Sequence, residues 1–473
     1  MSATGVDGLV NGAEVGAATT GANGYYQILT PSGSLQSSDV LTYLVGAQPG
    51  NAFADHVTGA TAGLNIFEGG LNAATSASNL SGFAQALSTA LGSNSGQYFL
   101  FTVQNGVLTP QAGAGLYLTT SGPFTVDQPL ALGYAPLSIT AGGTFYDNAA
   151  LSGGAVTLAT TAGDLSIGAP VGGAYSVALN AAGGLSEWGS GAITTASFGG
   201  SANGTVWLAG PNMIYTLTGF TNTGSGGFGL SDTASLNVTG PLNTGSGQLW
   251  LTDNHYVVFS APTVSGGAGF VVGDDGVRID SSLSVAGGLS IYAGNGGIVE
   301  GGGTITTPSL VSATSGGTYL PGANLIGALG SNSATGGFFL TDAQALAVNG
   351  PISAASVTLG TTSGAMTTNG TISSSGTIYL YAADVLTLGG QVSTPGDIYL
   401  FSIYRDIVLK AAVSGSHSVN LDSAGASYEL PGGSISTALL NVTAGSGIDL
   451  NGPNSIGSIG TDHTNSGPNQ INP

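Results

Sequence analysis

The densest group of side chains able to do chemistry is Asp274-Asp275-Gly276-Val277-Arg278-Ile279-Asp280. Carboxylates so close together can hold a hard cation, and calcium is the ion that such oxygens suit. Asp275 and Asp280 could equally bracket a sugar as an acid–base pair. An Asp-Asp-Gly turn with Arg278 as a local counter-charge accounts for the same residues with no ligand at all. The run does not follow the nonapeptide calcium repeat. All three readings stay open from sequence.

Other chemistry is scarce. His56, His255, His417 and His463 lie far apart in no ligand spacing, and the chain has no cysteine. A zinc site, a Ser-His-Asp arrangement and a disulfide framework are therefore not expected. Arg278, Arg405 and Lys410 are the whole basic complement, against 23 carboxylates, for a formal charge of −20. Nucleic acid and anionic membranes need Lys and Arg to neutralise phosphate, so both are poor partners and neither is expected. A lyase would also want basic groups beside its enolate. The chain reads as a non-enzyme with no cofactor, the calcium reading of Asp274, Asp275 and Asp280 excepted.

A second group is aromatic: Tyr379, Tyr381, Tyr399, Phe401 and Tyr404, with Arg405 next to the last. Flat rings beside polar groups hold sugar rings in many proteins. The competing reading is a ladder that only steadies neighbouring strands, at about 0.5–1.5 kcal/mol per aromatic pair.

The elements that carry these rings are strands of fixed period. An apolar-x-apolar unit recurs at Phe338/Leu340, Val357/Leu359, Ile378/Leu380, Ile398/Leu400, Val419/Leu421 and Leu440/Val442, at steps of 19, 21, 20, 21 and 21. Leu116/Leu118, Leu137/Ile139, Val156/Leu158 and Val177/Leu179 do the same at steps of 21, 19 and 21. Alternation makes the unit a strand, and the period makes it a solenoid whose repeats bury their apolar side by stacking. The fold class expected is all-β, a parallel β-helix (β-solenoid) of about 21 residues per coil. Stacked rungs lie ~4.8 Å apart, so Tyr379 is expected over Tyr399 and Tyr381 over Phe401.

Composition agrees, with 83 glycines for turns and 42% hydrophobic residues to bury. No apolar run reaches the roughly 18 residues of a membrane helix, so no membrane insertion is expected. The expected organisation is a small β segment at 1–35, a mixed region at 36–109, the β-helix at 110–460 and a polar tail at 461–473. At ~4.8 Å per coil the β-helix would make a rod of roughly 80 Å. Within the mixed region, residues 78–91 predict one helix: Asn79 caps it, Leu80, Phe83, Leu87 and Leu91 share a face, and Gly92 stops it. Such a helix would close the open end of the stack, which otherwise presents unpaired strand edges.

A longer repeat overlies the coils. Gly191-Ala-Ile-Thr-Thr recurs as Gly303-Thr-Ile-Thr-Thr and Gly433-Ser-Ile-Ser-Thr. Each is followed by Gly-x-Asn-x-Ile, at Gly210–Ile214, Gly322–Ile326 and Gly452–Ile456. These copies predict corners, with Gly and Asn taking left-handed backbone and Ile returning to the core.

With these units, the Gly322–Gly330 and Gly452–Gly460 runs and Leu340-Thr-Asp-Ala343, residues 110–460 resemble the repeat passengers of filamentous haemagglutinin-like bacterial surface proteins. The resemblance implies a right-handed β-helix, secretion by a Gram-negative bacterium and surface attachment. That family's N-terminal secretion signature is not visible. No basic n-region and apolar h-region open the chain either. Either an export signal has been removed or this is a segment of a longer chain, and we expect the second.

The function expected is that of an extracellular structural and adhesive passenger segment, mediating surface attachment, aggregation or biofilm matrix formation. Its partners would be polysaccharide or a host or neighbouring cell surface. The alternatives are a self-assembling fibre subunit joined end to end, and a polysaccharide-cleaving β-helix acting near Asp274–Asp280.

Overall fold

The computed structural model describes residues 5–30, 33, 35–45, 49–59, 64–94 and 98–472. Residues 1–4, 31, 32 and 34 of the expected N-terminal segment, 46–48, 60–63 and 95–97 of the mixed region and Pro473 of the expected tail lie outside this set. The chain divides into two compact units, Met1–Thr233 and Ala234–Pro473. Each is built on a parallel β-solenoid, the fold read from the period.

In the first unit, successive coils contribute strands to three ladders. One stacks Leu116, Leu137, Val156, Val177, Phe198 and Leu217 in register. A second stacks Phe124, Phe145, Leu165, Leu185, Val206 and Phe228. The third carries Leu130, Leu151, Val171 and Ile193. These residues are almost wholly buried, because alternation sends every second side chain inward and each coil covers the next.

Parallel stacking holds already between Asn51–Val57, Gly70–Thr75 and Gly115–Thr120, ahead of the regular apolar series. The pattern is hard to see there because Ala73 fills an inward position. A helix and the hairpin Phe101–Gln104/Val107–Pro110 then interrupt the period. Further N-terminal, the strands turn antiparallel: Gly5–Val10 pairs with Ala13–Thr19 and with Ser38–Val45. Two Asn-Gly turns, Asn11-Gly12 and Asn105-Gly106, hold positive φ at both residues. That is the twist a two-residue hairpin requires.

The helix runs Leu80–Leu91 between the expected caps. The Asn79 Oδ1 accepts from the Gly82 N–H at 2.7 Å, and Gly92 takes φ +59. Asn79 also bridges to Thr125, and the Asp127 carboxylate accepts from the Ser81 N–H. Phe83 packs edge-on against Phe53, centroids 5.7 Å apart. The helix thus occupies the place of a strand beside Phe124–Val126 and covers that edge. We expect Asn79→Ala to remove about 1 kcal/mol, read as a fall of a few degrees in the melting temperature of the first unit.

The second unit repeats the plan. The apolar-x-apolar series from Phe338 to Leu440 stacks in the register read from sequence. Leu236, Val257, Val277, Ile298 and Thr318 extend the same ladder in the N-terminal direction. Leu251, Val271 and Ile291 begin another, and Met366, Leu386 and Ile407 belong to a third. Strands Ser455–Thr464 and Asn469–Ile471 continue the parallel pairing into the segment read as a polar tail. Among the described residues, no helix is long and apolar enough to cross a membrane.

Candidate functional site

Tyr379 and Tyr381 stand on the strand Ile378–Ala382, whose Ile378 and Leu380 face the core. The next coil places Tyr399 and Phe401 on Ile398–Ser402. Parallel register sets Tyr379 beside Tyr399 and Tyr381 beside Phe401. The Tyr379 ring lies 5.5 Å from Tyr399 and 4.9 Å from Phe401, the latter pair at 28°.

Both pairs stand in the expected register, but the rings do not simply follow it. It is Tyr379, not Tyr381, that stacks on Phe401. Tyr381 leans back over Gly360 of the preceding coil, where an added Cβ would sit 1.6 Å from its Cζ. Its hydroxyl there meets the Thr341 Oγ1 at 3.3 Å. Tyr404 is 73% exposed, and Arg405 beside it pairs with Asp384 at 3.6 Å. The ladder is continued by amides rather than rings. The Asn441 Nδ2 donates to the Asn420 Oδ1 at 2.8 Å, and the Asn420 Nδ2 donates to the Ser418 Oγ at 2.9 Å. The surface so formed offers stacking faces, hydroxyls and amides, with the exposed Asp422 carboxylate next to Phe401.

The acidic run is arranged differently from the cation reading. Asp274 and Asp275 sit in the turn between Gly269–Gly273 and Gly276–Ile279. Both Asp280 oxygens accept from the Arg278 Nε, at 2.8 and 2.9 Å. Among the described residues no three His, Asp or Glu side chains come together as a metal-binding group. The strand Gly276–Ile279 carries Asp280 away from the turn, and Arg278 engages it.

The Gly-x-Asn-x-Ile copies are not left-handed corners. None of Gly210, Gly322, Gly452, Asn212, Asn324 and Asn454 has a positive φ. Each Asn is instead a hydrogen-bonding plug between coils. The Asn324 Oδ1 accepts from the Ile305 N–H at 2.7 Å. Its Nδ2 donates to the Glu300 Oε2 at 3.2 Å and to the Thr341 carbonyl at 3.2 Å. Glu187 with Asn212, and Glu429 with Asn454, repeat the arrangement. Glycine is required because a Cβ at Gly322 would lie 2.8 Å from the Glu300 Oε2 and 2.7 Å from the Gly303 carbonyl. Burial raises the Glu187 and Glu300 carboxyls, and the Gly and Asn donors offset this in part.

Further inward carboxyls serve the same coils. The Asp342 Oδ1 accepts from the Ile326 N–H, and the Asp253 carboxylate accepts from the Leu236 and His255 N–H groups. Burial pushes Asp342 up to about 7 and Asp253 up to about 6. Sequence reading passed over all of these. Each stands at an inward position one strand alternation past an apolar pair, as in Phe338-Phe-Leu340-Thr-Asp342.

It also passed over Trp250, Phe270 and Tyr292, outward on another ladder of the second unit. Trp250 and Phe270 stack at 4.1 Å, and Phe270 meets Tyr292 at 5.5 Å. The signal was available, since Leu249-Trp-Leu251 has the same apolar-x-apolar form.

No protein-family model, curated protein or solved structure matches this chain.

Proposed function

We propose that this chain is an extracellular structural and adhesive segment that holds polysaccharide or a cell surface through outward side chains of its coils. A β-solenoid is compatible with such a role. The observation that carries the reading is the Tyr379–Tyr399–Phe401 ladder, set outward on paired strands and followed by the Asn420–Asn441 amides. Stacking needs rings held in place before the ligand arrives, so that little conformational freedom is lost on binding. Neighbouring coils supply that rigidity. The reading takes the chain as a non-enzyme and leaves attachment or matrix formation as its work, outside a Gram-negative cell. The motif likeness to haemagglutinin-like surface proteins points the same way.

The test is binding of the purified chain to a printed array of glycans, followed by Tyr379→Ala with Tyr399→Ala. Removing two stacking rings at about 1 kcal/mol each should weaken the best ligand roughly thirty-fold. Unchanged affinity would remove the platform.

A further inference from the structure

The outward column that holds Tyr379 and Tyr399 begins several coils earlier. Register runs from Val299 to Tyr319, Phe339, Thr358, Tyr379 and Tyr399 in consecutive coils. Tyr319 is 49% exposed, and its ring lies 4.9 Å from that of Phe339. Beside these rings the next outward positions are Gly297, Gly317 and Gly337, then Ser356. With no side chains there, the rings stand as one wall of a groove of about 430 Å³. Thr318 also lines the groove. Its side chain is 1% exposed and faces the core between Ile298 and Phe338, so the hydroxyls open to the groove are those of Ser356, Thr358 and Tyr319.

We propose that this groove is a binding site for a linear, uncharged polysaccharide lying along the stacking direction. The lining contains no carboxylate, amine or guanidinium, so an anionic glycan, a phosphate ester or a cationic peptide has nothing to pair with. What the groove offers is ring faces and hydroxyls, which suits a neutral pyranose. Strand addition by a peptide is closed off. Thr318–Ile326 is already paired with Ile298–Glu300 on one side and Gly337–Asp342 on the other, and augmentation needs a free edge. Within the groove the column from Val299 to Thr358 spans three coil steps, ~14 Å at ~4.8 Å each. Several sugar units could lie along that span.

The inference shares its chemistry with the proposed function but rests on different residues, and the test separates them. Neutral and charged oligosaccharides, from trisaccharide to hexasaccharide, are titrated against the full chain and two double variants. These are Tyr319→Ala with Phe339→Ala, and Tyr379→Ala with Tyr399→Ala. All four rings are outward, so circular dichroism should show folded protein in each. The expected result is neutral-glycan affinity that rises with length and falls at least ten-fold in the Tyr319/Phe339 variant. Tyr319→Phe, which keeps the ring, should bind nearly as the parent does. A loss confined to the Tyr379/Tyr399 variant would overturn the groove and leave the platform standing. A loss confined to the Tyr319/Phe339 variant would do the reverse. Binding of charged glycans alone, or of no neutral glycan, would overturn the groove.

Discussion

Replacing Asn324 by leucine should destabilise the second unit by about 3–5 kcal/mol, although the two side chains are of similar size. Asn324 is fully buried. It accepts from the Ile305 N–H and donates to Glu300, Gly322 and Thr341 oxygens. Leucine fills the space but satisfies none of these groups. Each buried polar group left without a partner costs about 1–3 kcal/mol. For a unit of this size the change corresponds to a melting-temperature fall on the order of 10 °C. Glu300→Gln gives the contrasting result. Its carbonyl oxygen still accepts from Gly322 and Asn324, and a raised carboxyl is replaced by a neutral amide. That variant should stay within about 1 kcal/mol of the parent. Thermal and urea denaturation of both would check the pair. If Asn324→Leu melts with the parent, the plug is not what joins these coils.

The solenoid was legible because its two signals are short and local. An apolar pair at alternating positions states which face is inward, and its return after about 21 residues states what lies above it. Val357, Ile378 and Ile398 accordingly stack as read. The helix was equally plain, since Asn79 and Gly92 are caps with their own chemistry. The Asn plugs were not legible as plugs. Glu300 and Asn324 stand 24 residues apart, and their meeting depends on coils adding up in space. Sequence therefore showed glycine and asparagine and suggested a turn, the commoner use of both. The aromatic site was half legible for a similar reason. Tyr379 and Tyr399 fall inside the clean part of the series, whereas Tyr319 follows Thr318, a polar residue at an inward position. That one substitution hides the apolar pair that would have placed Tyr319 in the same column.

Stability should fall as pH rises from about 4 to about 8, against the usual acid-denaturation trend. The cause is a set of carboxyls that are easier to keep protonated in the fold than in the unfolded chain. Burial pushes Asp147 up to about 8 in the first unit, an effect the Ala169 amide offsets only in part. Glu187 in that unit and Glu300, Asp253 and Asp342 in the second shift the same way. Unfolded carboxyls titrate near 4. Between there and the folded values, the folded state binds more protons than the unfolded state. Linkage then makes stability decrease with pH. The loss is absent below about pH 4 and complete above about pH 8. Asp147 has no exposed surface, so the effect in the first unit should reach ~2–5 kcal/mol. The net charge of −20 acts in the same direction through self-repulsion, but salt screens that component far more than a buried group. Melting in high salt at pH 4 and pH 8 therefore isolates the buried carboxyls. Asp147→Asn should lower stability slightly at pH 4 and raise it at pH 8, so that its curve crosses that of the parent. Hydrogen exchange of the Phe145–Asp147 amides would assign the change to the first unit. Parallel curves for variant and parent would mean that Asp147 is ionised in the fold across this range and has no part in the pH dependence.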